Sequence, residues 1–421
     1  MESNLMLKQI IHQLWNRRRS NGWLFAELFI VFVLLWYCLD ILYGFAYNGL
    51  QPKGYDIRHV YQVIIRANPT QLPAERTLET LQTQWLEPQE EILRRIRQYP
   101  GVESAAMWMG SDAYTRHTMY QGYTLDSVKV QLANIRYVSA AYFDVMRIPL
   151  QAGQVGEWEA SIHPTPAVIT SDMADSLFHT TADVVGREIK DYYDGGFRYR
   201  IAGVCDRQKE DDYTRYEPFI LTPLPRWLYN TYGYTVNYCF RVRPEMDTPD
   251  FADRFYRAMT PQLQVAAFYL FEVNSYAAQK IERDAAEGVT PYIRGAELVV
   301  VFFAFNVFIG LLGTFWFRTR YRRSEIALRM AMGSSRARIR TQLIGEGLLL
   351  LLAAALPALV VCFNLVVADV TITSEADATP MRFWIVFTVT LLFMALMVLL
   401  GIGFPAQKAM QIQPAEALHE D

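Results

Sequence analysis

The sequence predicts a membrane protein with four transmembrane α-helices and a large α+β domain, of two lobes, inserted between the first and second spans. Three observations carry this. Apolar runs at 23–46, 296–317, 343–368 and 383–404 are each long enough to cross a bilayer, whose ~30 Å core needs ~20 residues at 1.5 Å each. The polar stretch 47–295 separates the first run from the other three. Residues 318–342, between the second and third runs, hold eight arginines against one acid, Glu325. Although 52% of residues are hydrophobic, the mean hydropathy is only +0.05. The apolar residues are therefore concentrated in a few spans, and a many-span bundle is excluded.

Before the first span, Leu7, Ile10, Ile11 and Leu14 recur with helical spacing, and Arg17, Arg18 and Arg19 follow. Residues 1–22 thus read as an amphipathic helix on the inner leaflet, or as a plain juxtamembrane anchor. The run 23–46 exceeds the ~7–15 apolar residues of a signal peptide core, and no cleavage pattern follows it. Within 47–295, β-branched or alternating stretches at 60–66, 102–108, 134–138, 167–170, 197–205 and 237–242 read as strands. Helical patterns cover 78–98, 172–178 behind a Ser171 cap, 248–259, and 272–286, a stalk leading into the second span.

Lys/Arg excess marks the untranslocated side of a membrane. Lys8 and Arg17–Arg19 place the N-terminus in the cytoplasm, and the basic stretch places 318–342 there too. The 369–382 loop carries Asp369, Glu375 and Asp377 near its start and middle and is expected outside, and the tail 405–421 returns inside with Lys408. The 47–295 domain then faces outward. Glu27, Asp40, Glu297 and Glu346 all lie near span ends. Structural pairing with the interface or a neighbouring arginine is expected of them, not an ion pathway. Asn306 and Asn364 are expected to bond between helices.

Catalytic motifs are missing. No lysine follows a glycine, which excludes the phosphate-cradling G-x-x-x-x-G-K-[ST] loop. The six histidines form no H-E-x-x-H helix, and there is no G-x-S-x-G elbow. Net charge −3 gives no footprint for nucleic acid. The four cysteines form no C-x-x-C; buried packing is the expectation, with a Cys205–Cys239 disulfide chemically open. The acid triplet Glu210, Asp211, Asp212 reads as a solvated loop in preference to a cation site. Tyr192–Tyr193 and Tyr232–Tyr234 are aromatic patches able to pack or to meet an apolar ligand.

The run from Arg322 to Ser334, RRSEIALRMAMGS, resembles the R-R-x-E-I-G-x-R-[KR]-A-x-G-A signature of the MacB/FtsX-type ABC-transporter permeases. It departs at Ala327, Met330 and Ser334. The tail with Pro405, Ala406, Ala409 and Pro414 to Leu418 is similar to that family's ending, with His419 in place of arginine. Val138 to Phe143, Ile148 to Leu150 and Gly153 resemble the V-S-x-x-Y-F…I-P-L…G of its periplasmic core domain, as Ile201 to Asp206 resembles its I-x-G-V-x-x-D segment.

The resemblance implies the permease subunit of an ATP-driven mechanotransmission complex in a bacterial inner membrane, with the large domain periplasmic. ATP and magnesium would be bound by a separate ABC ATPase, so this chain needs no cofactor and no metal and is not itself an enzyme. A second permease copy or paralogue is implied, and a periplasmic adaptor or outer-membrane partner is left open, as is the choice between efflux and lipoprotein release. From the residues alone, a membrane-anchored sensor signalling to a cytoplasmic partner is the alternative. The family form places the coupling element at Arg322, Arg323, Glu325, Ile326, Arg329, Met330 and Gly333. Ser324 can cap such a helix and Gly333 end it, leaving Ile326, Ala327, Met330 and Ala331 as one apolar face between arginines.

Overall fold

The computed structural model of the chain describes residues 18–72, 77–115, 118–125, 131–193, 197–225, 236–321, 328, 332, 334–368, 370 and 379–409. Two compact units result: Leu50–Gly288, and Met1–Gly49 together with Val289–Asp421. The first helix, α1 (Arg18–Leu50), contains the whole expected span 23–46. The amphipathic pattern at 1–17, the Tyr232–Tyr234 patch, the acids of the 369–382 loop and the tail beyond Ala409 lie outside the described residues.

The inserted unit runs β1 (Val60–Ala67), α2 (Glu87–Gln98), β2 (Val102–Gly110), β3 (Tyr120–Thr124), β4 (Gln131–Val138), α3 (Tyr142–Met146), β5 (Leu150–Gly153), β6 (Thr165–Thr170) and α4 (Ser171–Phe178). It continues with β7 (Glu188–Asp191), β8 (Arg198–Cys205), β9 (Gln208–Lys209), β10 (Tyr216–Glu217), β11 (Phe219–Pro223), β12 (Asn237–Val242), α5 (Phe251–Met259), β13 (Phe268–Ser275) and α6 (Tyr276–Ala286).

Two lobes share one sheet. In the first, β13-β1-β12-β2 are antiparallel neighbours. The apolar stripe of α2 (Ile92, Leu93, Ile96) and that of α5 (Phe251, Phe255, Met259) are buried in the same core as the inward residues of these strands, such as Val63 and Phe240. Phe240 stacks on Phe255 with ring centroids 4.7 Å apart. In the second lobe, β4 pairs with β3, β3 with β7, β7 with β8, β8 with β6, β6 with β11, and β11 in parallel with β4. These six strands close a ring. Alternation along each strand explains how: Ala167, Ile169 and Ile220 join one core while Val168 and Leu221 join another. The lobes are stitched where Trp108 of β2 faces Val138 of β4.

Particular elements depart from the sequence expectation. Residues 268–275 form a strand beside β1, so the 272–286 helix starts only at Tyr276. The reason is a two-residue period: Phe268 and Leu270 face the core while Tyr269 and Phe271 face outward. Ser275 then caps α6 by accepting from the Ala278 N–H at 3.1 Å. Helix α4 begins at Ser171 itself, so Ser171 is not the cap. Thr170 occupies that place, and its hydroxyl accepts instead from the Phe219 N–H at 3.0 Å. The 248–259 pattern yields a helix only from Phe251. All four cysteines are free and buried, Cys205 and Cys239 included.

The membrane unit consists, in its described residues, of α1, α7 (Val289–Tyr321), α8 (Arg336–Val367) and α9 (Pro380–Ala409). All four are long and apolar enough to span a bilayer. Leu24, Leu28, Val31, Phe32, Leu35 and Trp36 form one stripe of α1, buried with Val307, Leu311 and Phe315 of α7 and Phe383, Phe387 and Met394 of α9. Gly347 of α8 permits close approach to α9, since a Cβ there would stand 2.2 Å from the Ile402 Cδ1. Asp40 of α1 and Arg382, in the first turn of α9, form a buried two-pronged ion pair, Nε–Oδ1 2.9 Å and Nη2–Oδ2 2.6 Å. Asp40 thus has the arginine partner expected of it. Asn364 bonds within its own helix, to the Val360 carbonyl at 2.7 Å, and among the described residues makes no bond to another helix.

Candidate functional site

The seven residues expected to couple to a partner, Arg322, Arg323, Glu325, Ile326, Arg329, Met330 and Gly333, lie outside the described residues. Their surroundings are described in part. Helix α7 ends at Tyr321, and α8 starts at Arg336 with Ser335 as its cap, the hydroxyl accepting from the Arg338 N–H at 3.3 Å. Between them Leu328 and Met332 are both exposed, and the Met332 N–H donates to the Leu328 carbonyl at 3.0 Å, a helical spacing. Arg336, Arg338 and Arg340 are exposed, while Ile339 beside them is buried in the membrane unit's core. The first turns of α8 therefore present cations on a helix that its apolar residues anchor.

A second constellation lies within the inserted unit. The Glu210–Asp211–Asp212 triplet is not a solvated loop. It packs between the segment that enters the inserted unit and the helix that leaves it. Asp212 accepts from the Lys53 ammonium at 2.6 Å and pairs also with Lys280 of α6. Arg283 of α6 reaches Glu210 at 3.1 Å and Asp211 at 3.2 Å. Arg283 also meets Glu287 at 3.0 Å, and the buried Lys209 ammonium donates to the Asp212 carbonyl at 3.4 Å, so cations and carboxylates offset one another where they are buried. Backbone contacts fix the geometry. The Lys209 N–H donates to the Lys53 carbonyl at 3.3 Å and the Tyr114 N–H to the Glu210 carbonyl at 3.0 Å. Gly54, at φ +80°, is needed here because a Cβ would stand 2.4 Å from the Arg207 carbonyl oxygen.

The same helix is held at its start. Tyr276 and Tyr142 each donate to the fully buried Asp112 carboxylate at 2.5 Å, and Arg136 lies 3.7 Å from it. Burial pushes the Asp112 carboxyl up, partly opposed by Arg136 and the two tyrosines. In the triplet the balance differs between neighbours. Burial pushes Glu210 up, and Arg283 offsets this only in part. Burial acts likewise on Asp212, but the hydrogen bonds from Lys280 and Lys53 outweigh it and hold that carboxyl below its usual range. The charges are committed to one another, so the arrangement clamps backbone segments together instead of poising an acid or base for chemistry. The only sequence signal for it was the acid triplet. Its partners Lys53, Lys280 and Arg283 lie far away along the chain and carry no motif.

Two family descriptions match the chain in order: the MacB-like periplasmic core domain over residues 51–258 and the FtsX-like permease C-terminal region over 297–414. The chain belongs to the MacB/FtsX-type ABC permease family. It is thus a membrane protein whose inserted unit is a periplasmic core domain. Helix α6 of this permease falls between the two matched regions. Among solved structures, the extracellular domain of the noncanonic ABC-type transporter YknZ from Gram-positive bacteria is 14% identical, with TM-score 0.31, covering 51% of the permease and 100% of that chain. The periplasmic region of MacB from Actinobacillus actinomycetemcomitans is 10% identical, with TM-score 0.34, covering 54% of the permease and 94% of that chain. No curated protein matches the chain.

Proposed function

We propose that the permease is the transmembrane subunit of an ATP-driven complex of the bacterial inner membrane, transmitting movement from a cytoplasmic ATPase to the periplasmic core domain. The observation that carries this reading is the ion-pair clamp. It ties the entering segment at Lys53 and the leaving helix α6 to the same loop, so the two covalent links to the spans act on the domain as one piece. A domain meant to relay displacement needs stiff connections at both links, because slack there would absorb the motion.

The chain carries no phosphate-binding loop, so ATP and magnesium belong to a separate ABC ATPase. The basic stretch 318–342 is assigned to the cytoplasm by its arginines, and exposed Leu328 and Met332 add apolar surface to it. A partner groove would take that surface while arginines meet acidic rims. The complex contains a second permease copy or paralogue. Leu298, Val301, Phe302, Phe305 and Ile309 leave a stripe of α7 exposed for lipid or for that copy.

The test is ATPase capture and stimulated hydrolysis in lipid nanodiscs. Ile326→Asp is expected to weaken capture about 30-fold, the cost of charging an interface anchor. The triple change Arg322→Ala, Arg323→Ala, Glu325→Ala should mainly slow association. Wild-type stimulation by Ile326→Asp would refute a coupling role for this stretch.

A further inference from the structure

Helix α7 is the span that its own chain covers least. Only 17% of its apolar window is buried, against 50%, 33% and 39% for α1, α8 and α9. Val307, Leu311 and Phe315 make up its buried side. Turned away from them is a second stripe. Val299, Phe302, Asn306, Ile309 and Gly313 follow one another at alternating steps of three and four residues. The first four are exposed, and a Cβ at Gly313 would meet nothing within 4 Å. Alternating steps of three and four keep one line of side chains facing a neighbouring helix, the seam of a left-handed helix pair.

The polar member of the seam decides what covers it. Asn306 stands midway along the apolar run 296–317, about 15 Å from either end at 1.5 Å per residue. Its amide offers two donors and an acceptor, and among the described residues it makes no hydrogen bond. Asn364 of α8, by contrast, returns its amide to the Val360 carbonyl of its own helix. One turn beyond Asn306, the Glu27 carboxylate of α1 lies against Gly310, and it leaves Asn306 exposed. A side chain this short cannot snorkel from mid-bilayer to the interface. Irregular chain segments are kept out of lipid-facing hydrocarbon by their own backbone groups. The partner of this amide must therefore come from another span.

We propose that α7 packs along this seam against α7 of a second, identical copy of the chain, with the two Asn306 amides bonded to each other across a twofold axis. Two copies inserted with the same topology place that axis along the bilayer normal, so each seam residue meets its own counterpart. An amide complements itself, since each carbonyl oxygen accepts from the other's N–H; a carboxylate or an ammonium would meet its like charge. A partner with an apolar residue at this place would leave the amide unpaired in hydrocarbon, so the seam selects an identical chain. Any slip of register would do the same, which is how one asparagine in an apolar seam fixes both register and partner number. The pairing rests on the reading that the complex holds two permeases, and narrows it to two copies of one chain. It needs neither the ATPase nor the 318–342 stretch.

The full chain, purified alone into liposomes, is oxidised with copper phenanthroline after single cysteines are placed on α7; the native cysteines are buried. Asn306→Cys, Phe302→Cys and Ile309→Cys are expected to give disulfide-linked dimers, and Val301→Cys is not. Val301 is 65% exposed and Phe302 62%, but the two point about 100° apart round the helix, so exposure alone does not set the outcome. Association is then read by energy transfer between donor- and acceptor-tagged copies diluted in lipid. Asn306→Val is expected to weaken it about 3–30-fold, the range of an interhelical polar bond in a membrane, and Asn306→Gln, an amide again, to lose less. Valine is more apolar than asparagine, so the span still inserts. Cross-linking of Val301→Cys as fast as of Asn306→Cys, unchanged association in Asn306→Val, or association only in the presence of a different permease would each overturn the proposal. ATPase capture is measured separately, so the coupling reading stands or falls on its own.

Discussion

Removing Arg283 tests the clamp most directly. Its side chain is 8% exposed and meets Glu210 and Asp211, themselves 13% and 5% exposed. Arg283→Ala leaves two buried carboxylates without their cation, a change that costs about 3–5 kcal/mol. The further contact to Glu287, 3.0 Å but 38% exposed on the acid, adds at most about 1 kcal/mol. Burial already pushes Glu210 up, so without Arg283 it takes a proton more readily, which limits the cost to the lower end. About 3 kcal/mol corresponds to more than 100-fold in an opening equilibrium. Because α6 is held at its start by Tyr276 and Asp112, the loss should appear as local opening of its second half. Hydrogen exchange on the full chain in nanodiscs, followed by mass spectrometry over 276–286, reads this as exchange accelerated about 100-fold. The double change Arg283→Met, Glu210→Gln should recover part of the protection, since one stranded charge is gone. Wild-type exchange in Arg283→Ala would refute the reasoning.

Further outcomes follow from the same contacts. Asp212 has a folded-state pKa below its unfolded ~3.9, so its stabilising contribution is full above about pH 4 and lost as pH falls through the folded value. Asp212→Asn should remove that slope from acid unfolding curves. Glu210 has the opposite sign: its raised pKa makes stability fall as pH rises above ~4.3, and Glu210→Gln should flatten that fall. In the membrane unit, Asp40→Leu or Arg382→Leu alone strands a buried charge and should destabilise by about 3–5 kcal/mol, whereas the double change should cost much less; thermal unfolding in detergent distinguishes these. With its native cysteines buried, a Leu328→Cys chain should react with an impermeant thiol reagent only after cells are opened; labelling of intact cells would contradict the topology. Purified free of other proteins, the chain should show no nucleotide binding by calorimetry.

The four spans were legible because a bilayer imposes a length and polarity that any sequence crossing it must meet, and the α1 and α7–α9 residues meet it locally. The long strands were legible for a similar reason, since β1 and β12 gather β-branched and aromatic residues within a few positions. The helical pattern of α6 reads back to 272 in the sequence because the alternation of Phe268–Ser275 and the helical pattern after it join without a glycine or proline between them. The periplasmic family was legible in short motifs. What the sequence left unwritten were the partnerships between distant positions. Lys53, Glu210–Asp212 and Arg283 are ordinary charges in isolation, and their meaning as a clamp exists only once the chain entering the domain and the helix leaving it are brought to one loop. Such pairings are set by loop closure and burial over the whole domain, a long-range balance that no local pattern encodes.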